Sequence, residues 1–188
     1  MVNPYQVGER VYLRPLETAD AAYLQRWIND PEVARYLSVY RPMKLEDELQ
    51  FIERANAGGE SLGFGVALKE NDRLLGSAGL QRIDWKNRSA GFGISLGLPD
   101  EWGKGYGTEA TRLVVQVAFE RLNLHRVWLV VYAFNERGLR CYSRAGFKTE
   151  GVMRDYHFAD GRYWDAHLMA VLRPEWEAGK TAQSGKEG

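Results

Sequence analysis

Residues 102–110 read Trp-Gly-Lys-Gly-Tyr-Gly-Thr-Glu-Ala, and this stretch decides how the rest of the chain is interpreted. Glycines stand at 103, 105 and 107, so the backbone can turn sharply and point several N–H groups outward. A helix predicted to follow adds unpaired N–H groups and the positive end of its dipole. The segment therefore predicts a site for a phosphate or pyrophosphate. The alternative is a glycine-rich turn that only connects two elements.

Two well-known nucleotide-binding motifs do not fit this segment. A P-loop requires Gly-x-x-x-x-Gly-Lys-Ser/Thr, which does not occur in the chain. The dinucleotide fingerprint Gly-x-Gly-x-x-Gly also fails, because the three glycines are evenly spaced and the preceding strand continues a meander. A nucleotide- or dinucleotide-binding protein of either type is therefore disfavoured.

Hydrophobic periodicity on both sides of the segment predicts a mixed α/β or α+β domain. Helices are predicted from Thr18, as N-cap, to Pro31, and over 45–57, 108–122 and 135–145. Strands are predicted over 10–16, 62–69, 73–83, 90–98, 127–132, 150–158 and 162–172. The strand over 127–132 is too apolar for a sheet edge. Asp160-Gly161 between the last two strands is a strong hairpin signal.

Composition excludes several other classes. The 188 residues carry 25 Lys and Arg against 25 Asp and Glu, so nothing attracts nucleic acid or an acidic membrane in general. The single Cys141 excludes an intrachain disulfide, and no Cys/His cluster predicts a metal site. No apolar run suits a membrane span or signal peptide, which predicts a cytoplasmic location. Residues 1–176 are predicted as one domain and 177–188 as a flexible tail.

Three stretches together resemble one enzyme family. The glycine segment resembles the acetyl-CoA pyrophosphate loop of the GNAT (Gcn5-related) N-acetyltransferases, in the form of the RimJ/RimL branch. Asn135 and Tyr142, followed by Gly146-Phe147, resemble the family's Asn…Tyr-x-x-x-Gly-Phe stretch. Residues 150–154 before the Asp160-Gly161 hairpin are a third marker. The resemblance implies a central mixed, mostly antiparallel sheet flanked by helices, with a C-terminal β-hairpin.

The resemblance also implies acetyl-CoA as the co-substrate and a site for it. The amides from Gly103 to Thr108 would hold the pyrophosphate, the strand edge at 94–96 would pair with the pantetheine arm, and Asn135 would bond the pantetheine or its neighbouring backbone. The implied cofactor-binding residues are Ile94, Ser95, Leu96, Trp102, Gly103, Lys104, Gly105, Tyr106, Gly107, Thr108, Asn135 and Tyr142.

By the same resemblance Tyr142 lies beside the thioester sulfur and is the implied catalytic residue. A phenol with a pKa of about 10 suits protonation of the departing thiolate. Two alternatives stay open from the residues alone. Tyr142 also suits a core aromatic paired with Leu139, and Asn135 also suits the cap of the following helix.

The family pattern breaks at the catalytic base. Many relatives have Glu on the strand before the glycine loop, where this chain has Gly91. The remaining candidates are Asp84, Glu101, His125 and a chain of water molecules. An α-amine has a pKa of about 7.7–8.0 and a lysine-type amine about 10.4. A site without a strong base therefore favours an α-amine or a desolvated amine as acceptor.

Two functions follow as expectations. The first is transfer of an acetyl group from acetyl-CoA to a primary amine, either a protein N-terminus or a small molecule. The second is a catalytically weak CoA-binding sensor or interaction module, for which Gly91 argues and against which Tyr142 argues. Aromatic residues near the hairpin are packing residues, an acceptor wall or the contact of a homodimer: Tyr156, Phe158, Tyr163 and Trp164. Candidates for the acceptor side, or for gap filling, are Tyr36, Tyr40, Arg41 and Trp85.

Overall fold

The computed structural model describes residues 1–184 and contains one eight-stranded sheet with helices packed against it. The strands are β1 Gln6–Val7, β2 Val11–Arg14, β3 Ser61–Leu68, β4 Leu74–Asp84, β5 Ser89–Leu96, β6 Arg126–Tyr132, β7 Lys148–Ala159 and β8 Arg162–Leu172. The helices are α1 Ala21–Ile28, α2 Pro31–Ala34, α3 Leu45–Ala57, α4 Tyr106–Gln116, α5 Glu136–Arg144 and α6 Arg173–Ser184. The mixed α/β class predicted from periodicity is confirmed.

The sheet runs in the order β1-β2-β3-β4-β5-β6-β8-β7, and its neighbours are antiparallel except for β5 and β6. These two parallel strands pair only where Ser89–Gly91 meets Arg126–Trp128. Beyond that point the β6 side of β5 has no strand partner, which opens a gap beside residues 94–96. β6 is an interior strand, as its apolar sequence predicted.

Two apolar clusters hold the layers together. The larger one places α4, through Ala110, Leu113 and Val114, against the sheet. The smaller one packs α1 and α3 through Trp27 and Ile52. Trp27 also lies directly beneath Gly97, where a Cβ would come within 1.9 Å of its ring. Glycine at 97 is therefore required for α1 to pack under the end of β5.

Several local predictions are corrected by contacts elsewhere in the fold. Thr18 does not cap a helix but lies in a short 3-10 turn, where Asp20 accepts from the Glu17 N–H and pairs with Arg14. Pro31 does not end α1 but opens the short helix α2, capped by Asp30. The helix predicted over 108–122 begins at Tyr106 and changes to a π turn over Val117–Arg121.

The predicted boundary at residue 176 falls inside a helix. α6 runs from Arg173 to Ser184, although the sequence predicts a flexible tail over 177–188. Its Trp176 ring packs on Phe119, and Lys180 lies over that ring and pairs with Glu120. Residues 185–188 lie outside the described part of the chain. Among the helices within residues 1–184, none is long and apolar enough to cross a membrane.

Candidate active site

The glycine loop sits between the end of β5 and the start of α4. Gly103 and Gly105 have positive φ values of 79° and 92°, which favour glycine, so the loop turns as the sequence predicted. The Trp102 indole N–H donates a 2.8 Å hydrogen bond to the Leu96 carbonyl and fastens the loop to β5. Gly105 is the N-cap of α4 and provides no capping side chain.

Ion pairs hold the loop from outside. Arg10 donates to the Lys104 carbonyl at 2.9 Å and to the Glu109 carboxylate at 3.2 Å. The Lys104 ammonium pairs with Glu101 at 2.9 Å, and Glu101 also pairs with Arg73 at 3.2 Å. Lys104 is the one predicted binding residue that does not line the cleft described next. Its side chain braces the loop, because its charge is directed at Glu101.

A cleft of about 400 Å³ opens between β5, the glycine loop and α5. It brings together every other predicted binding residue: Ile94, Ser95, Leu96, Trp102, Gly103, Gly105, Tyr106, Gly107, Thr108, Asn135 and Tyr142. One wall is the part of β5 that β6 leaves unpaired. The cleft thus joins a free strand edge to an anion-binding helix start, a combination that fits a ligand with amide groups and a pyrophosphate.

Asn135 caps α5, which is one of the two roles that the sequence allows for it. Its side-chain oxygen accepts a 2.9 Å hydrogen bond from the Gly138 N–H at the start of α5. Asn135 also lines the cleft, and its amide NH₂ donates to no residue of the described chain. Capping uses the oxygen only, so the nitrogen stays available to a ligand.

Tyr142 combines core packing with an available hydroxyl. Its ring stands edge-on to Phe92 at 6.1 Å and, with Leu139, packs against the larger apolar cluster. The hydroxyl makes no hydrogen bond within residues 1–180, and it is not among the buried unpartnered polar atoms there, so a ligand in the cleft can reach it. Burial, and then the neighbouring Cys141, raise the pKa of the Tyr142 phenol above its ordinary value. Tyr142 therefore keeps its proton at neutral pH.

Cys141 is a packing residue. Its thiol lies 3.5 Å from the Thr108 hydroxyl and 4.0 Å from that of Thr111, so it joins α5 to α4. Burial raises the pKa of the Cys141 thiol, which makes a nucleophilic thiolate unfavourable. The described part of the chain contains no cluster of side chains suited to a metal ion.

No side chain replaces the missing base at Gly91. A Cβ at Gly91 would lie 3.2 Å from the Trp128 ring and 3.3 Å from the Gln81 carbonyl, so a larger side chain there would require these neighbours to shift. Asp84 is paired with Ser89, and His125 donates its backbone N–H to the carbonyl of Arg88 next to it, at the far end of β5 from Ile94. Five strand residues span roughly 17 Å, which places both outside the cleft.

Glu101 is the remaining candidate base, and it lines the cleft. The Lys104 ammonium, with Arg73 beside it, holds the pKa of the Glu101 carboxyl below its ordinary value. A carboxylate with a lowered pKa and two cationic partners is a weak proton acceptor. These contacts argue against all three side chains, which leaves a chain of water molecules as the proton acceptor among the proposed bases.

Sequence reasoning missed the arginines of α5. Arg137 lies 3.9 Å over the Trp102 ring and 5.1 Å from the Tyr36 ring, on the cleft wall. Arg140 and Arg144 also line the cleft. Their spacing of three and four residues places all three on one helical face, which was a readable signal for an anionic ligand.

The four residues expected on the acceptor side lie in different parts of the structure. Tyr36 lines the cleft, together with Val33 and Leu37. Tyr40 is 93% exposed, and Arg41 forms an ion pair with Asp47. Trp85 donates its indole N–H to the Gly59 carbonyl and does not line the cleft. Of this group only Tyr36 contributes to the cleft.

The chain is similar to known acetyltransferases over most of its length. The family model of the GNAT acetyltransferase domain matches residues 10–148. An uncharacterized N-acetyltransferase, p20 of Bacillus licheniformis, is 33% identical and the match covers 89% of this chain and 96% of that protein. The spermidine N(1)-acetyltransferase of Escherichia coli is 30% identical, with 89% of each chain covered.

A solved structure shares the fold. The spermidine N-acetyltransferase of Vibrio cholerae, in complex with CoA and spermine, superposes with a TM-score of 0.82 at 25% identity, covering 90% of this chain and 99% of that one. The mixed sheet flanked by helices, with its C-terminal hairpin, is the fold that the three resembling stretches implied. Fold, loop and family match agree that this chain is an N-acetyltransferase of the GNAT family, with acetyl-CoA as its co-substrate.

Proposed function

We propose that the protein transfers the acetyl group of acetyl-CoA directly to a primary amine, with Tyr142 as the general acid. The observation that carries the proposal is an available, protonated phenol in the same cleft as the free edge of β5 and the glycine loop. Acetyl-CoA supplies the reactive thioester. Residues of this chain bind the donor and protonate the departing thiolate, and water takes the proton of the amine.

The chain first binds and orients the donor. The N–H groups of residues 103–108 donate hydrogen bonds to the pyrophosphate, and the unpaired edge at Ile94, Ser95 and Leu96 pairs with the amides of the pantetheine arm. An N–H of the same edge stabilises the negative charge that develops on the acetyl oxygen. Arg137 adds positive charge near the loop.

Tyr142 then completes the transfer. As the C–N bond forms and the C–S bond breaks, the phenol gives its proton to the departing thiolate. The attacking amine loses a proton to water, since the described chain places no free carboxylate or imidazole in the cleft. The phenol is restored by proton exchange with solvent.

For the acceptor we propose a primary amine with a low pKa, such as the α-amine of a protein N-terminus, as in the RimJ/RimL branch. Glu101 is the one carboxylate on the cleft wall of the described chain, and it is already paired with Lys104 and Arg73. A polyamine with several positive charges would find three arginines there and no free acid.

A small-molecule polyamine is the second candidate acceptor. The similar proteins favour it, since those of Escherichia coli and Vibrio cholerae are spermidine N-acetyltransferases. The relative activity on the two amine classes decides between the candidates. The structural argument from the cleft predicts higher kcat/KM for the α-amine.

The test is release of CoA thiol from acetyl-CoA with a panel of amines. The panel contains peptides with different N-terminal residues, free amino acids, spermidine and an aminoglycoside. Turnover of one class identifies the acceptor. Silence across the panel with retained CoA binding would instead support the alternative, a catalytically weak CoA-binding sensor or interaction module, for which the replacement of the usual base by Gly91 is the observation.

A homodimer and a cytoplasmic location complete the proposal. The hairpin exposes a set of large apolar side chains suited to a contact between two copies: Val152, Tyr156, Phe158 and Tyr163. Light scattering on the purified chain tests the dimer. Cys141 is a free thiol, which fits a reducing compartment.

A further inference from the structure

The face of the sheet opposite α4 is covered by a helix at β3 but is open at β5. Phe92 packs in the larger apolar cluster with α4, so its neighbours Gly91 and Gly93 face the other side. Gly93 lies in the same row of the sheet as Gly63 of β3, through their shared partner on β4. A Cβ at Gly63 would lie 2.6 Å from the Cβ of Ala55 in α3, whereas at Gly93 the nearest atom would be 4.0 Å away. Gly93 is therefore exposed although β5 is an interior strand.

This open strip of β5 is the floor of a trough that leads to the cleft. Trp128 of β6 forms one wall, because its ring would lie 3.2 Å from a Cβ at Gly91. Gln81 of β4 forms the other wall, with its side-chain nitrogen 4.0 Å from a Cβ at Gly93. Ser95 lies two residues beyond Gly93, so it shares this face, and it lines the cleft. The trough thus gives a second ligand a route to the free edge of β5 from the face opposite α4.

A positive charge without a carboxylate partner lies at the Trp128 wall. The Arg82 guanidinium is 4.7 Å from the centre of the Trp128 ring, and within residues 1–180 it forms no ion pair. The other charged groups near this wall are already bound. Arg126 is paired with Glu150, and Asp84 accepts two hydrogen bonds from the Asn87 backbone and side chain. Arg82 is therefore the charge that remains available to a ligand in the trough.

A bulge in β4 places Arg82 on this face. In a regular strand neighbouring residues alternate, so Arg82 next to Gln81 would face α4. The pairing of β4 with β5 shifts between Gln81 and Asp84, and Arg82 has a φ of +51°, in the left-handed region. A side chain is strained in that conformation, and such strain is concentrated at functional sites. The strained bulge has a clear product here, which is a guanidinium beside the trough.

We propose that Arg82 binds an anionic group of the acceptor, and that the preferred acceptor is a primary amine with a carboxylate further along the same molecule. The inference rests on the proposed acetyl transfer and adds a charge requirement to it. The Trp128 wall at Gly91 and the free edge at residues 94–96 are three strand residues apart, which is roughly 10 Å. An extended peptide spans that distance with an acidic side chain at its third residue, or with the terminal carboxylate of a tripeptide. Arginine binds either carboxylate with charge-assisted hydrogen bonds.

The experiment measures binding of two matched peptide pairs to the CoA-loaded chain by calorimetry. One pair is a longer, C-terminally amidated peptide with glutamate or glutamine as its third residue. The other pair is trialanine with a free carboxylate and its amide. We expect the acidic member of at least one pair to bind about tenfold more tightly than its neutral partner. A preference in the first pair identifies a peptide side chain as the source of the anion, and a preference in the second identifies the carboxylate of a small amine.

Variants assign the preference to Arg82. Arg82→Gln should raise the Kd of the acidic member to that of the neutral one and leave the Kd of CoA unchanged, whereas Arg82→Lys should keep part of the preference. The matched control is Arg121→Gln, which should keep all of it, since Arg121 lies over the Tyr5 ring beside β1. Gly93→Val should weaken both members by filling the trough. Its control is Gly151→Val in β7, where a Cβ meets nothing within 4 Å.

Equal Kd values within both pairs on the wild-type chain would overturn the inference. A preference that survives in Arg82→Gln, or that disappears in Arg121→Gln, would overturn it as well. Because binding is measured without turnover, the outcome is separate from that of the proposed function. An inactive chain that still prefers the carboxylate would refute acetyl transfer alone, and an active chain without the preference would refute the role of Arg82 alone.

Discussion

The ring of Tyr142 stands edge-on to the ring of Phe92, with centroids 6.1 Å apart and an interplanar angle of 83°. Phe92 is a buried residue of β5, and Tyr142 belongs to α5, so this contact fixes the phenol relative to the strand whose free edge would hold the donor. A proton donor that is held in place by a buried ring needs little reorganisation during the reaction. The contact therefore links the packing of the fold to the proposed chemistry.

Replacing Tyr142 by Phe should lower kcat by about 10²–10⁴-fold, since the general acid is lost while the ring packing is kept. The Kd of CoA and the melting temperature should change little. Steady-state kinetics and calorimetry measure these quantities. Tyr36→Phe removes another phenol from the cleft wall and is the matched control. An unchanged kcat in Tyr142→Phe would remove the assignment.

Replacing Gly105 by Ala should raise the KM for acetyl-CoA and lower stability by about 1–2 kcal/mol, because φ is +92° and the new Cβ would lie 2.9 Å from the Arg10 side chain. Gly161→Ala is the control, since Gly161 has a φ of +76° with open space around it and lies in the distant hairpin. That control should lose stability and keep its KM. A normal KM in Gly105→Ala would argue against the loop as the pyrophosphate site.

The pH dependence of kcat/KM should follow the ionisation of the acceptor amine. With an α-amine acceptor the rate should rise up to about pH 8, and with a lysine-type amine up to about pH 10. Burial raises the pKa of Tyr142, so its loss of the proton should produce no falling limb at neutral pH. A rising limb at pH 5–6 that is the same for both amines would reveal an enzymic base.

Removing one partner of the buried ion pair between Arg14 and Asp20 should be strongly destabilising. The two side chains are joined at 2.7 and 2.8 Å, and the residues are 8% and 5% exposed. Asp20→Asn should lower the free energy of unfolding by about 3–5 kcal/mol, because the guanidinium stays buried without its counter-charge. Urea denaturation measures the loss. The exposed pair Arg41 and Asp47 is the control, and Asp47→Asn should cost less than about 1 kcal/mol. Similar losses in both variants would contradict the argument.

Local signals in the sequence predicted most elements to within a few residues. α3 ends where Gly58 has a positive φ, and the hairpin turns at Asp160-Gly161 with positive φ at both residues. These features depend on the backbone of a few neighbouring residues, so they are readable locally. The short elements β1 and α2 and the helix α6 were missed. β1 and α2 are only two and four residues long, which is too short to show a hydrophobic period. α6 is held by partners that are distant in sequence, such as Phe119.

The sequence by itself determined the turns of the glycine loop and offered the cap at Asn135 as one of two roles, because turn and cap preferences act within a few residues. The tertiary structure decided where β5 and β6 separate, that Arg137 lies over Trp102, and that Trp128 occupies the space beside Gly91. Each of these relationships joins residues that are distant in sequence. Which strand pairs with which, and how far, depends on the packing of the whole sheet, and the cleft exists because that pairing stops at Gly91.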